Sequence, residues 1–338
     1  MEIEIKKRGG DAFLEKFAAQ LIEVSEKIGF PLSSRGWCYQ LEGFRLINKG
    51  QFDYVQTLIN RARKRGFLPI DFIAVDKTRT FDLVEMLDSE TPAEFLKDWL
   101  ETFKRVHKLY DAVSFWEGQK YYCQMLVEKI DLKTLNTHEK TGQICQKYHI
   151  PIATTRGWAD INQRVDMANR FKESEERGMM PVLLYEGDFD VFGCLISDKL
   201  KKNLKDIERA TGWSPDNLIV DRFGLNYDQI EEAGLTWIEG NDFWITGSGK
   251  RLDPNHPAVK EWLKKYGPRK VEANAIVVKP DFAREIAEKA IRKYLSEDAL
   301  ERFEQAKGKM QGKVERLGQK IELGREMDKL LKKLKKSG

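Results

Sequence analysis

The sequence predicts a mixed chain: a helical N-terminal module, then an α/β domain built on a mostly parallel sheet. Three observations predict it. Apolar residues recur at helical spacing between residues 11 and 64. From Tyr121 onward, short apolar runs alternate with helical stretches, the pattern of strands joined by crossover helices. Two of those runs end in carboxylates, Met125-Leu126-Val127-Glu128 and Leu183-Leu184-Tyr185-Glu186-Gly187-Asp188-Phe189-Asp190.

A chain of 338 residues accommodates two domains or one large one. The spacing suggests four segments: a DNA-binding module over 1–85, a helical connector over 86–120, the α/β domain over 121–295 and a basic tail over 296–338. Charged residues make up 33%, above the usual quarter. A net charge of +4 is too small to mark a nucleic-acid binder by itself. Its distribution is more informative: Ala306–Gly338 carries eleven Lys/Arg against four Asp/Glu, net +7, which leaves net −3 for residues 1–305. The N-terminus has no apolar core of signal-peptide type, and no stretch reaches membrane-span length. Cys38, Cys123, Cys145 and Cys194 are widely spaced, with no CxxC pair, and read as reduced thiols of a cytoplasmic protein. Four histidines without an HExxH pattern argue against a zinc hydrolase.

In the N-terminal module, Phe13, Leu14, Phe17, Leu21 and Ile22 predict a helix over 11–29, stopped by Pro31. Ser33 and Ser34 are N-cap residues for a second helix beginning near Arg35. On that helix Trp37, Leu41 and Phe44 fall within about 60° of one another, while Tyr39 lies roughly 200° from Trp37 and so faces away from the expected core. Arg35 is one turn before Tyr39, on the same side. A third helix covers 52–64, with Arg61, Lys64 and Arg65 crowding its C-terminal end before Gly66. Residues 67–76 read as a strand or β-wing. Helices followed by a wing, with a basic end to the last helix, match a winged helix-turn-helix that places a helix on DNA. Taken alone, Tyr39 reads first as an ordinary exposed tyrosine, and the basic cluster as a solvated helix end that suits the macrodipole.

The connector helix starts at Thr91-Pro92 and runs to about Val113, aromatic-rich (Phe95, Trp99, Phe103) and expected to pack between domains. Strands follow at 121–127, 150–153 and 181–185, with helices at 133–148, 159–176 and 194–211 and a turn at 154–158. Ligands bind at the C-terminal ends of such strands. Asp188 and Asp190, spaced i, i+2, share a face in extended chain. With Glu128 they make a hard-oxygen set suited to Mg²⁺ rather than zinc. The plainer alternative is that the aspartates cap the next helix. Thr246-Gly247-Ser248-Gly249-Lys250-Arg251 imitates a phosphate loop, but Trp244 and Arg251 stand where that motif needs Gly and Ser/Thr, so it reads as a hairpin turn. A helix is expected from Pro280 to about Tyr294, then a loosely helical or disordered basic tail that is either solvated or held to DNA phosphates.

Glu128 followed by Asp188-x-Asp190 and then Gly193 resembles the Toprim signature. Ser34-Arg35-Gly36-Trp37-Cys38-Tyr39 resembles the Arg-x-x-x-Tyr motif of the topoisomerase VI A subunit family, which includes the meiotic double-strand-break protein. The likeness covers about residues 30–295, extends to Val220–Leu225 and Val271–Ala275, and is closest to the short stand-alone Mini-A relatives. Cys38 stands where the family often has a second aromatic, and Val191 where proline is common. The resemblance implies a winged helix followed by a Toprim domain. It also implies Tyr39 as the nucleophile of a 5′-phosphotyrosyl bond, Arg35 on the scissile phosphate, and Glu128, Asp188 and Asp190 on Mg²⁺. The implied partners are double-stranded DNA, a second copy whose metal serves this chain's tyrosine, and a separate ATPase B-type subunit; the implied location is the nucleoid. Two other functions fit the same residues: a Toprim nuclease hydrolysing DNA through metal-activated water, and a non-catalytic DNA-binding or partner-docking protein with structural carboxylates.

Overall fold

A computed structural model of the chain describes residue 5 and residues 9–74, 90–155, 161–246 and 249–337. Two compact units emerge, residues 1–79 with 120–295, and residues 80–119 with 296–338. The N-terminal module belongs to the same unit as the α/β domain, and the connector belongs with the tail.

The first unit is built on four parallel strands, β1 (Tyr121–Val127), β2 (Ile152–Thr154), β3 (Met180–Glu186) and β4 (Ile219–Gly224), in the order β2-β1-β3-β4. The central pair β1 and β3 is buried almost throughout, which is why both read as continuous apolar runs rather than alternating ones. In register, Val127 lies opposite Glu186, so Glu128 and Gly187 leave the sheet side by side. The expected helix over 133–148 is two pieces, α5 (Ile130–Thr137) and α6 (Ile144–Lys147). Gly142 and Gln143 between them both adopt left-handed φ values of 86° and 47°, which no α-helix accommodates. After β2 comes α7 (Ile161–Glu176); residues 156–158 of the expected turn lie outside the described residues. The helix expected over 194–211 is likewise divided, into α8 (Gly193–Lys205) and α9 (Glu208–Thr211). Beyond β4 lie α10 (Tyr227–Ala233), α11 (Pro257–Tyr266) and α12 (Pro280–Arg292). Ile245 and Arg251 form an antiparallel bridge, consistent with a hairpin turn, though Gly247 and Ser248 lie outside the described residues.

The N-terminal helices are α1 (Asp11–Ile28), α2 (Ser34–Gly43) and α3 (Phe52–Lys64), close to expectation. Ser33 caps α2 by accepting from the Gly36 N–H at 2.9 Å. Trp37 stacks on Phe72 at 5.1 Å, closing the module's own core. The expected strand or wing reduces to turns and one bridge, Leu32 to Ile73, with Val75 and Asp76 outside the described residues. Asp131 at the start of α5 accounts for the merger of module and sheet. Its buried carboxylate accepts from the Ser33 N–H (2.7 Å), the Ser33 hydroxyl (3.1 Å) and Asn274 Nδ2 (2.9 Å). A Cβ at Gly36 would lie 2.3 Å from Asp131 Oδ2, so glycine is required for this approach.

In the second unit α4 (Pro92–Lys104) opens with a Thr91–Glu94 capping box and ends well before Val113, where Arg105 leaves helical geometry. It packs on α14 (Leu323–Ser337), with Lys104 Nζ 2.8 Å from Asp328 Oδ1. Phe95, Trp99 and Phe103 stay 46–52% exposed, so α4 is not the buried connector expected. The tail forms two regular helices, α13 (Ala299–Lys320) and α14, with Phe115 packed edge-on against Phe303 at 5.6 Å. Among the described residues no helix is long and apolar enough to cross a membrane.

Candidate metal and tyrosine site

The ends of β1 and β3 place Glu128 and Asp188 together. Glu128 Oε2 accepts from the Asp188 N–H at 2.9 Å, which locks one carboxylate to the backbone of the other. The chain then turns, and Phe189 pairs antiparallel with Val271 through hydrogen bonds of 2.9 and 3.0 Å. That single bridge delivers Glu272 beside Asp188, and the Ala273 N–H donates to Asp188 Oδ1 at 2.8 Å. Glu272 thus joins Glu128 and Asp188, with Asp190 close enough to feel the Glu272 and Glu128 charges.

Asp190 turns aside. Its Oδ1 accepts from the Phe192 N–H (3.0 Å) and the Gly193 N–H (2.5 Å), capping the first turn of α8. This is the capping role that competed with metal binding in the sequence. Burial raises the pKa of Asp190, opposed by the Gly193 bond and reinforced by the Glu272 and Glu128 charges.

At the centre of the three carboxylates stands an ammonium. Lys129 Nζ lies 2.6 Å from Asp188 Oδ2, 3.2 Å from Glu272 Oε2 and 3.5 Å from Glu128 Oε1. Burial alone would lower the Lys129 pKa, yet the three carboxylates outweigh it and raise it well above the usual range. Burial pushes Asp188 well up, with Glu128 and Glu272 adding to it. Glu272 moves the other way: burial would raise it, but the ammoniums of Lys129 and Lys49 hold it far below the carboxylate range. Lys49, just before α3, ion-pairs with Glu272 Oε1.

Tyr39 adjoins this cluster. It is only 6% exposed, against the expectation that it faces outward from its helix. Residues 273–278 pack against α2, and Gln40 Nε2 donates to the Asn274 carbonyl at 2.7 Å. The ring packs edge-on against Phe52 at 5.2 Å, and Lys129 Nζ sits 5.5 Å from its centroid. Arg35 Nε donates to the Tyr39 hydroxyl at 3.2 Å, as the one-turn spacing predicts. Burial raises the Tyr39 pKa and Glu272 raises it further, while Lys129 and Arg35 pull it down. The hydroxyl is held as a neutral phenol that accepts from Arg35.

Arg61, Lys64 and Arg65 are all exposed at the far end of α3. Arg61 donates to the Gly9 carbonyl at 3.2 Å, and Arg65 lies 3.8 Å from Asp11. Phe52 starts the same helix, so the basic end lies about 15 Å along it from the tyrosine.

Among the described residues no three His, Cys, Asp or Glu side chains stand ready to hold a metal ion, because Lys129 occupies the space between the carboxylates. The donor set nevertheless fits a hard cation. It consists of carboxylate oxygens alone, it already holds one positive charge, and Glu272 Oε2 is buried without a hydrogen-bond donor. Glu128, Asp188 and Glu272 would hold such an ion, and Asp190, which caps through Oδ1, would offer Oδ2. Lys129, Lys49 and Glu272 escaped the sequence reading. Glu272 lies in the quoted Val271–Ala275 run, but a single bridge has no periodicity to betray it.

Glu186 sits on β3 directly before this loop, 2% exposed. Burial pushes its carboxyl up to about 8, against the charge of Arg222. The neutral form is favoured in the fold, so its contribution is fully present below about pH 4.5 and is lost as pH rises through about 8, at up to about 1.4 kcal/mol per pH unit. In urea titrations Glu186→Gln is expected to gain on the wild type between pH 5 and 8, by about 1 kcal/mol or more. Parallel pH profiles for the two proteins would contradict this.

No family model, curated protein or solved structure matches this chain. The fold and site above define the class: an α/β chain with a parallel four-stranded sheet and a carboxylate cluster at the C-terminal edge of its central strands.

Proposed function

We propose that this chain is a divalent-cation-dependent DNA-cleaving protein of the topoisomerase VI A type, with a winged-helix module and a Toprim domain, and Tyr39 as its nucleophile. The observation that carries this reading is the convergence of Tyr39, Arg35 and the carboxylates Glu128, Asp188 and Glu272 within one compact unit, from segments more than two hundred residues apart. In the transesterification the Tyr39 oxygen bonds to phosphorus and the bond from phosphorus to the 3′ oxygen breaks. The phenol gives up its proton and the 3′ oxygen takes one up, leaving a 5′-phosphotyrosyl link and a free 3′ hydroxyl. A bound cation such as Mg²⁺ would supply charge stabilisation for the phosphodiester. Arg35 supplies a guanidinium at the phenol oxygen, placed to hold both the nucleophile and a phosphate oxygen. Because Tyr39 is buried, its surroundings must open before DNA reaches it. Double-stranded DNA as substrate, a two-fold homodimer, Arg61, Lys64 and Arg65 as phosphate contacts, a B-type ATPase partner and a nucleoid location belong to the same proposal.

A second reading is favoured by Lys129. Its ammonium already balances the carboxylates, so the cluster also works as an ion-pair network fastening the N-terminal module to the sheet, in a DNA-binding or partner-docking protein.

The experiment is incubation with supercoiled DNA and Mg²⁺, comparing wild type, Tyr39→Phe and Asp188→Asn. The proposal expects denaturant-resistant protein–DNA adducts that both substitutions reduce at least about a hundredfold. Cleavage that survives Tyr39→Phe but not Asp188→Asn identifies a hydrolytic Toprim nuclease instead. Binding without cleavage in all three proteins supports the structural role.

A further inference from the structure

We infer that the Lys129 ammonium is a resident occupant of the cation position, which an incoming divalent ion displaces and thereby hands over to the tyrosine side of the site. This rests on reading the cluster as a cation site. Lys129 Nζ contacts the same three carboxylates that would bind the ion, at 2.6, 3.2 and 3.5 Å. Mg²⁺ draws its oxygens to about 2.1 Å, so ion and ammonium cannot share them without severe crowding and repulsion. The lysine has somewhere to go. It is the last residue before α5, on a flexible four-carbon stem, and its ammonium is already 5.5 Å from the centroid of the Tyr39 ring. Leaving the carboxylates places it toward the aromatic face and the phenol oxygen, where a positive charge favours both phenolate and phosphate. Glu272 Oε2, buried and without a hydrogen-bond donor, loses only the 3.2 Å ion pair and gains a ligand in return. Lys49 remains on Glu272 Oε1 and keeps that carboxylate in place. The lysine thus acts as an internal competitor that sets the affinity for the ion.

Two measurements with Mn²⁺ as the probe test this. The first is calorimetric titration of wild type and Lys129→Met with Mn²⁺. The second is amine acetylation of the unaltered protein with and without Mn²⁺, read by mass spectrometry at Lys129 against the exposed Lys205. The expected result is Mn²⁺ binding about tenfold or more tighter in Lys129→Met, and Lys129 acetylation rising several-fold with Mn²⁺ while Lys205 is unchanged. Binding by Lys129→Met alone also supports the displacement. Equal affinity in the two proteins, or Lys129 acetylation unmoved in a wild type that binds Mn²⁺, overturns the displacement and leaves the cation site standing. No Mn²⁺ binding by either protein overturns the site itself. If Lys129→Met fails to fold, acetylation of the wild type decides.

Discussion

Arg222→Met is expected to destabilise the chain by roughly 3–5 kcal/mol and to disable the site with it. Arg222 on β4 donates to four backbone carbonyls, three in the segment that carries the aspartates and one, Leu225, just after β4. Nη1 reaches Gly193 at 3.0 Å, and Nη2 reaches Gly187, Asp188 and Leu225 at 3.0, 2.9 and 3.2 Å. Methionine offers no donor to any of them, although the Gly187 carbonyl keeps the Leu225 N–H at 3.0 Å. The loop that sets Asp188 against Glu128 and Glu272 then loses its anchor. Lysine is a point charge on a flexible stem and is expected to recover only part of the loss. Urea denaturation of wild type, Arg222→Met and Arg222→Lys checks the order. Stability of Arg222→Met within about 1 kcal/mol of wild type would sink the claim that this side chain holds the loop.

Gly193→Ala is expected to cost about 3 kcal/mol or more. An added Cβ would sit 2.2 Å from the Asp188 carbonyl oxygen, 3.0 Å from its carbon and 3.0 Å from Asp190 Oδ1. Two of those atoms are backbone at the tightest turn of the site, so the only relief is to move the aspartates. Gly43→Ala is the matched control. It lies at the end of α2 with no atom within 4 Å of the added Cβ, and is expected to be neutral or to gain up to about 1 kcal/mol. Thermal melts of the pair separate a steric cost from a general glycine effect; similar midpoints for the two variants would count against the account.

Much of this was legible in the chain. The helices at 11–28, 34–43 and 52–64 and the strands at 121–127 and 180–186 follow from strong local periodicity, and Ser33 caps as its residue type suggests. Glu128 and Asp188 meet because adjacent parallel strands in register must end together. What failed was non-local. A helical wheel assigns one buried face and leaves Tyr39 exposed, whereas its ring packs edge-on against Phe52 with Lys129 Nζ beside it. The joining of module and sheet is non-local too: Asp131, almost a hundred residues downstream of Ser33, bonds the N-cap of α2. Asp190 shows the limit of a motif. Its residue type suits both a ligand and a cap, and the α8 amides take Oδ1 for the cap, which leaves Oδ2 for a ligand role.

The central claim is that Tyr39 and the carboxylate cluster act as one reactive site. Its most direct test is to incubate the protein with supercoiled DNA and Mg²⁺, digest with nuclease and protease, and search every tyrosine peptide for a nucleotide by mass spectrometry. The expected result is a nucleotide joined through its 5′ phosphate to Tyr39, absent from Asp188→Asn. Cleaved DNA with unmodified Tyr39, or a nucleotide on Tyr39 that persists undiminished in Asp188→Asn, would contradict it.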